Sequence, residues 1–338
     1  AVRAHQLRRI DPILASRLAV ASASLAGDTP DTHHALLTLS AQPERDIWAP
    51  PGVDGSWYQR LSSAGGPYVF WSREQKKIVV ADPATRRVPR AIDVAGAPPR
   101  GVAPSLDAGR LLVVQDDGTM TIWDVATGTA RRLPYRHTAD DGLTLSPTGT
   151  KLIRIGDDRV TMLEAATGKE LFRAKVKPGS GTPRLSPDER TWQVQALNPQ
   201  GVLATVEGSG DQRSLIFWDA ATLQQKGNPI RLPAGNTGIT ALSPDGRLAA
   251  TADSKGNIDI WDVRTQRHLG LALTGNAAGH ETTIESLAFS ADSTRVHSMG
   301  SSDMKLQTHI VGPDALKRAL CAQNGQLTPQ QWKRYIGI

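Results

Sequence analysis

The chain has 338 residues, 39% of them hydrophobic, which is enough to bury a large core without disulfide support. Its single cysteine, Cys321, excludes an intrachain disulfide framework and a metal site built from several thiolates, and it favours a reducing, cytoplasmic compartment. The formal charge of +6 lies mostly at the ends, because residues 1–30 carry four arginines against two aspartates and residues 313–338 carry four basic side chains against Asp314. The balanced middle lacks the basic face that phosphate groups require, which argues against a nucleic-acid partner.

The first predicted element is an amphipathic helix within residues 10–25, where one apolar stripe recurs at helical spacing. Its members are Ile10, Leu14, Leu18, Ala21 and Leu25. A secretory signal would need a continuous apolar run, which Asp11, Pro12 and Arg17 interrupt. No stretch reaches the roughly 18 apolar residues of a membrane span. Because the chain opens at an alanine, we expect a fragment of a larger protein or a processed product.

Two further helices are predicted from the same N-terminal motif, a threonine N-cap followed by a proline in the first turn. Thr29 and Pro30 open one helix, and Thr328 and Pro329 open the other near the end of the chain. The final segment, 314–336, has an apolar stripe of its own, formed by Leu316, Leu320, Trp332 and Ile336. We expect both end segments to pack on the flank of the same molecule, and self-association through them is the alternative.

Two turn signals recur between these ends. The first is typified by "LSPDG" at 242–246, where proline presets a turn angle and glycine tolerates positive φ. The second is typified by "WDVATG" at 123–128, where an acidic side chain caps a tight turn that glycine closes. In six pairs the second signal follows the first by 19, 19, 18, 21, 19 and 18 residues, and successive first signals lie 42, 41, 52, 45 and 47 residues apart. This period, with two short alternating runs inside each pair, is typical of four-stranded propeller blades.

On these repeats, residues 43–312 resemble a WD40 β-propeller, so the expected fold is all-β with short helical flanks. The resemblance implies structural roles for a tryptophan on the third strand of a blade and for the aspartate that ends that strand. The residues concerned are Trp123, Asp124, Trp218, Asp219, Trp261 and Asp262. The aspartate of the family's buried hydrogen-bond network matches Asp117 but is Lys255 in a later repeat. This departure suggests blades held mainly by apolar packing.

We count six blades, with seven as the alternative. The last repeat supplies only three strands, so "RDIWAPP" at 45–51 is expected to donate the fourth and close the ring. The chain then divides into a helical linker at 1–42, a propeller at 43–312 and a helical tail at 313–338. Residues 174–192 exceed a normal connection between blades and predict a protruding loop or the remnant of a seventh blade.

The helical flanks carry a second resemblance. A helical pair ahead of a propeller, followed by a tail such as "LKRALCAQNGQLTPQQWKRYIG", is similar to bacterial signalling proteins that join a STAND-class NTPase to WD40 repeats. The resemblance implies a sensor or scaffold region that binds a protein or peptide, with an NTPase domain upstream in cis. No G-x-x-x-x-G-K-[ST] loop occurs in this chain, so phosphate binding is not carried over.

Signals for catalysis and metal binding are weak. The chain has no G-x-S-x-G elbow, and "HETTI" at 280–284 lacks the second histidine of a zinc-protease helix. We therefore predict a noncatalytic chain with no cofactor and no metal. A stand-alone propeller enzyme, or a protein that holds a small ligand in a central channel, is the alternative.

Topology predicts where recognition would occur. In the WD40 arrangement, the connections between blades and the turns between second and third strands share one rim. Arginine and aromatic side chains, which interfaces favour, are frequent at these positions. The candidate residues are Arg100, Tyr135, Arg136, His137, Arg159, Lys175, Lys177, Arg184, Trp192, Arg213, Lys255 and His280.

Overall fold

The structure is a computed structural model. It describes residues 2–40, 46–60, 67–82, 85–105, 108–137, 142–146, 149–155, 159–175, 196–197, 201–208, 210–219, 224–274, 283–300 and 304–337. Helices lie at both ends of the chain: α1 (Val2–Leu7), α2 (Pro12–Ala26), α3 (Pro30–Leu39), α4 (Pro313–Asn324) and α5 (Pro329–Tyr335). No helix within the described ranges is long and apolar enough to span a membrane.

The described strands between the helices form six antiparallel sheets of four strands each. Sheet 1 contains β2 (Tyr58–Arg60), β3 (Tyr68–Ser72), β4 (Lys77–Asp82) and β5 (Arg87–Asp93). Sheet 2 contains β6 (Pro99–Pro104), β7 (Arg110–Gln115), β8 (Thr119–Asp124) and β9 (Ala130–Arg136). Sheet 3 contains β10 (Gly142–Leu145), β11 (Lys151–Ile155), β12 (Arg159–Glu164) and β13 (Glu170–Lys175).

The second half of the chain repeats this order. Sheet 4 contains β14 (Ala196–Leu197), β15 (Val202–Glu207), β16 (Ser214–Asp219) and β17 (Gln225–Arg231). Sheet 5 contains β18 (Asn236–Leu242), β19 (Leu248–Asp253), β20 (Asn257–Asp262) and β21 (Arg267–Thr274). Sheet 6 contains β22 (Ile284–Phe289), β23 (Arg295–Gly300) and β24 (Leu306–Ile310), with β1 (Asp46–Trp48) as its outer strand.

The outer strand of sheet 6 comes from the start of the sheet region. Strand β1 pairs antiparallel with β24, so that Asp46 lies opposite Thr308 and Trp48 lies opposite Leu306. Neighbouring sheets contact each other in four places: sheet 1 with 2, 2 with 3, 4 with 5, and 5 with 6. Sheets 6 and 1 share an apolar cluster that includes Ala288 and Tyr68. Residues 176–195, which follow sheet 3 and precede sheet 4 in the sequence, lie outside the described residues.

The tryptophan-aspartate motif occupies the same place in three sheets. Trp123, Trp218 and Trp261 lie on the third strand of sheets 2, 4 and 5, and the aspartate after each one is the last residue of that strand. The indole N–H of Trp218 donates to Thr205 Oγ1 at 2.8 Å, and that of Trp261 donates to Thr251 Oγ1 at 3.1 Å. The motif thus lies on the third strand of each of these sheets and at its end, and the structural role of these residues stays a prediction.

The turn that follows the motif has the predicted chemistry. Asp262 Oδ1 accepts hydrogen bonds from the backbone N–H of Thr265 at 2.6 Å and from its hydroxyl at 2.7 Å. Asp124 accepts the same two bonds from Thr127, each at 2.9 Å, and Gly128 completes this turn with φ of +71°. The acidic side chain thus satisfies amides that the strand leaves unpaired.

Asp117 does not take part in a buried network. It is exposed in the turn between β7 and β8, and its carboxylate accepts bonds from the N–H of Thr119 at 2.9 Å and from its hydroxyl at 3.0 Å. Both bonds are local to the turn, and they lower the pKa of the Asp117 carboxyl.

The end helices form one packed unit rather than a linker and a separate tail. Arg17 of α2 donates to the carbonyl of Asn324 at 2.7 Å and to Gln331 Oε1 at 3.4 Å, which joins the two ends of the chain. One apolar core runs from this unit into sheets 5 and 6 and includes Leu36 and Leu316. The predicted packing of the ends within one molecule therefore agrees with the contacts of the structure.

The predicted stripe of the first helix is wrong at its two ends. Ile10 is 80% exposed and precedes α2, and Leu25 is 57% exposed in its last turn. Leu14, Leu18 and Ala21 are buried as expected, but so is nearly every residue between them, because neighbouring helices cover α2 on several sides. The threonine-proline starts are confirmed at Thr29 for α3 and at Thr328 for α5.

Candidate functional site

One rim of the sheets combines two kinds of loop, and we call it the upper rim. It comprises the turns between second and third strands and the connections that leave each sheet, described at residues 73–76, 94–98, 116–118, 136–137, 211–213, 232–235 and 253–256. Backbone bonds hold the two kinds side by side. The N–H of His137 donates to Gly118 at 2.8 Å, and the N–H of Leu232 donates to Arg213 at 3.0 Å.

Neighbouring sheets are also joined along the upper rim. The N–H of Asp116 in sheet 2 donates to the carbonyl of Pro98 in the preceding connection at 3.0 Å. The guanidinium of Arg73, in the turn of sheet 1, pairs with the Asp116 carboxylate at 2.8 Å. These bonds hold the loops of sheets 1 and 2 together, and loops positioned by a rigid scaffold often carry binding residues.

A β-bulge places Arg100 at this surface. Along β6, Pro99 lies opposite Gln115 and Gly101 lies opposite Val114, so Arg100 is an extra residue without a cross-strand partner. Its two neighbours in the chain are buried while Arg100 is exposed. A bulge re-aims one side chain out of the regular alternation, which is how this strand presents a guanidinium to solvent.

Glu285 occupies the matching bulge of sheet 6, and sequence reasoning missed it. Ile284 lies opposite Gly300 and Ser286 lies opposite Met299, which leaves Glu285 as the extra residue of β22. Glu285 reaches solvent, but the protein around it raises the pKa of its carboxyl through desolvation. Among the described residues, neither Glu285 nor Arg100 has a hydrogen-bond or ion-pair partner. The one signal in the sequence was that Glu285 is the second residue of the inner strand of its sheet, as Arg100 is of its own.

Three of the other predicted rim residues have described side chains that reach solvent. Arg136 is exposed, and its Nη1 donates to the carbonyl of Asp117 at 2.7 Å. Lys255 is exposed at the tip of the turn before β20. Arg213 is half-buried and donates to the carbonyl of Asn236 at 2.7 Å, so it also supports the loop that carries it.

His137 departs from the expectation. It is only 9% exposed, and its backbone N–H donates to the carbonyl of Gly118 within the rim. Its ring therefore offers little surface to a partner, and we remove it from the candidate contact residues.

The remaining candidates cannot be placed in the same way. Tyr135, Arg159 and Lys175 belong to β9, β12 and β13, and the structure describes only their backbone. Four further candidates lie outside the described residues, together with most of the predicted 174–192 loop: Lys177, Arg184, Trp192 and His280.

The opposite rim, which we call the lower rim, is where the helical unit attaches. It comprises the turns between first and second strands and between third and fourth strands, such as 243–247 and 262–266 in sheet 5. Arg247 in this rim pairs with Asp28 before α3, and Arg267 at the start of β21 pairs with Asp31 at 3.1 Å. Ring nitrogen Nε2 of His33 donates to the carbonyl of Val311 at 2.6 Å.

Histidine, cysteine and carboxylate side chains form no metal-binding group of three or more in the part of the chain that the structure describes.

The comparison with protein families found a match within sheets 4 and 5. A family model described as "WD domain, G-beta repeat" matches residues 227–262, from within β17 to the end of β20. The match thus covers the outer strand of sheet 4 and the first three strands of sheet 5. No curated protein sequence matches the chain. Since WD40 repeats bind protein partners and are typically noncatalytic, this repeat implies a protein-interaction or scaffold role.

Proposed function

We propose that this chain is a closed six-bladed propeller that serves as the noncatalytic sensor or scaffold region of a larger bacterial signalling protein. In this proposal it binds a protein or peptide at the upper rim. An NTPase domain of the STAND class, upstream in cis and in the cytoplasm, would be the output that binding controls. The six sheets and the strand from 46–48 in sheet 6 support the closed ring.

One observation carries the choice of rim. The helical unit engages the lower rim through Asp28, His33 and Asp31, whereas Arg100, Arg136 and Lys255 are exposed on the upper rim. At sheets 5 and 6 the chain's own helices cover part of the lower rim, and that part is not available to a partner. An ordered, exposed loop surface that contains arginine fits the composition of binding sites.

Arg100 and Glu285 add a chemical preference. Both are exposed on bulges of inner strands, and neither has a partner among the described residues. A partially desolvated carboxylate without a cation nearby is stabilised when a cation arrives, and a guanidinium is suited to bidentate binding of a carboxylate. We therefore expect the bound peptide to carry both charges, with a basic group directed at Glu285.

The experiment compares two charge-matched double variants in affinity capture from the source cells. The rim variant is Arg100→Glu with Arg136→Glu, and the control is Arg87→Glu with Arg131→Glu, which lie at the lower ends of outer strands in sheets 1 and 2. We expect the wild type and the control to retain the same set of proteins and the rim variant to lose at least one of them. Equal capture by the two folded variants would exclude this rim.

The signalling context has its own test. Immunodetection of the native protein should give a product well above the 36.2 kDa of this chain, and peptides upstream of Ala1 should contain a phosphate-binding loop. A native product of about the same mass as the chain would overturn the STAND assignment and leave the rim proposal standing.

A further inference from the structure

Helix α3 covers the outer edge of sheet 5, whereas three other sheets have a proline in the corresponding strand. In sheet 5 the outer strand is β21, and α3 lies along it. Outer strands β5, β9 and β17 each contain a proline instead, namely Pro89, Pro134 and Pro229. Proline removes a donor from an exposed strand edge and so discourages pairing with another chain. Strand β21 has no proline, and its protection depends on the helix.

A side chain of α3 accepts a hydrogen bond from the backbone of this strand edge. The backbone N–H of Gly270 in β21 donates to ring nitrogen Nδ1 of His34 in α3 at 2.9 Å. The approach is close because Gly270 has φ of +71°, and a Cβ at that position would lie 2.5 Å from Cβ of Leu37. An amide N–H can only donate, so Nδ1 of His34 must be unprotonated for this bond to exist.

Other titratable groups converge on His34 from each element packed against it. From α1, the His5 ring lies 6.2 Å from the His34 ring. From β21 come Arg267, which pairs with Asp31 of α3, and His268, which bonds to Asp259 of β20 at 2.9 Å. The carbonyl of His268 stabilises the protonated form of His34, whereas His5, His268 and Arg267 oppose it.

The balance of these effects favours the neutral ring. Burial is the largest cause that lowers the pKa of His34, and electrostatic repulsion from Arg267, His5 and His268 acts in the same direction. The adjacent His33 is buried against Val311, and burial lowers its pKa as well. Because the folded pKa of His34 lies below its unfolded value, the contact is fully stable above the unfolded pKa and weakens as pH falls through that range.

We propose that His34 is a pH-responsive latch, whose protonation releases α3 from β21 and exposes this edge of sheet 5. Protonation places a hydrogen on Nδ1, which then faces the Gly270 N–H donor to donor. It also adds a positive charge beside Arg267 and the two other histidines. Release would free the backbone groups around Gly270 and the side chain of Leu271, which is 48% exposed already. The inference concerns the lower half of the molecule and does not depend on partner binding at the upper rim.

Hydrogen exchange of the full chain, followed by mass spectrometry at pH 7.5 and pH 5.5, tests the latch. Rates are corrected for the intrinsic pH dependence of exchange and compared between peptides that cover β21 and β7. In the wild type, we expect protection of β21 to fall about tenfold more than protection of β7, because an opened His34 with the reference pKa of about 6.5 is mostly protonated at pH 5.5. His34→Gln retains an acceptor that does not titrate, so its β21 should keep its protection. His268→Gln removes a ring that disfavours protonation of His34 but leaves the latch itself in place, so its β21 should lose at least as much protection as that of the wild type.

Two results would overturn the proposal. One is unchanged protection of β21 in the wild type at pH 5.5, and the other is an equal loss in His34→Gln. If His34→Gln does not fold, NMR of the wild type decides instead. The Gly270 amide resonance must then titrate with the same midpoint as the His34 ring, and a different midpoint for the two would reject the latch.

Discussion

Sheets 5 and 2 carry the same tryptophan-aspartate motif but bury it to different extents. Trp261 in sheet 5 is 6% exposed and donates to Thr251, whereas Trp123 in sheet 2 is half-buried. In register, the position that Thr251 occupies on the second strand is Val113 in sheet 2. The comparison shows that a repeated motif sets the place of a side chain, while the neighbouring strand decides its hydrogen bond.

The same two sheets protect their outer edges by different means. In sheet 2, β9 carries Pro134 and the exposed Arg131 and Arg132, which discourage pairing with another strand. In sheet 5, α3 covers β21 and shares an apolar core with it. Sheet 5 therefore depends for its stability on residues more than 200 positions away in the sequence, as the bond between His34 and Gly270 illustrates.

The largest expected loss of stability comes from a substitution in the apolar core that the end helices share with sheets 5 and 6. Leu36 of α3 is 0% exposed within the cluster that includes sheets 5 and 6. Leu36→Ala should lower the free energy of unfolding by about 3 kcal/mol, because it removes buried methyl groups and leaves a cavity. Denaturant unfolding followed by tryptophan fluorescence and by far-UV circular dichroism measures this.

The matched variant for that test is Leu133→Ala in β9, a residue 3% exposed in the core that joins sheets 2 and 3. If the helices are integral to sheet 5, both variants lower the common transition by similar amounts. A helical transition that separates from the main one only in Leu36→Ala would show that sheet 5 is stable without its helical cover.

A second prediction concerns pH and the seam between sheets 6 and 1. His297 is buried there, 5.9 Å from the Tyr68 ring and 2.9 Å from Thr308 Oγ1, and burial lowers its pKa to about 4. The folded state therefore favours the neutral ring, and stability falls as pH drops below the unfolded pKa. Between pH 7.5 and pH 5, the loss due to His297 should be roughly 2 kcal/mol.

Denaturant midpoints of the wild type and of His297→Gln, measured across this pH range, check the prediction. The variant should lack that part of the pH dependence, whatever His33 and His34 contribute to both proteins. Parallel curves for the two proteins would mean that His297 does not titrate as its burial implies.

The smallest effect sharpens the comparison of the two tryptophans. Thr251→Val should cost about 1.5 kcal/mol, since the buried indole N–H of Trp261 loses its acceptor. The reciprocal Val113→Thr offers an acceptor near Trp123 but buries a hydroxyl, so we expect a change within about 0.5 kcal/mol. Thermal and denaturant unfolding of both variants give the two values. An equal loss in both would show that the threonine partner does not distinguish the sheets.

Much of the fold could be predicted because its signals are local. The turn residues Asp262 and Thr265 lie three positions apart and bond to each other, so their chemistry is readable without the rest of the chain. The caps at Thr29 and Thr328 are equally local and were placed correctly. The candidate rim followed from topology, and Arg100, Arg136 and Lys255 are exposed there.

What could not be predicted depends on contacts between distant segments. His137 is buried in a rim whose strands and loops come from distant parts of the chain, and Glu285 is exposed at a bulge in strand register. Neither feature gives a periodic signal in the sequence. A bulge adds one unpaired residue and shifts the alternation of the strand, but it leaves the composition unchanged. The exposure of Ile10 and Leu25 also depends on distant segments. An apolar stripe shows that a helix has a buried face, but it does not show which neighbours cover that face or how far they extend.

The sequence by itself determined the repeat, the strand ends with their tryptophan and aspartate, the turn chemistry and the helix starts, because each of these is decided by residues within a few positions of one another. Tertiary structure alone decided that the two ends of the chain join in one helical unit, that this unit covers the edge of sheet 5 through His34, and that the bulges present Arg100 and Glu285. These features depend on which distant surfaces meet, and the free energy of that choice is spread over many contacts that no short stretch of sequence encodes.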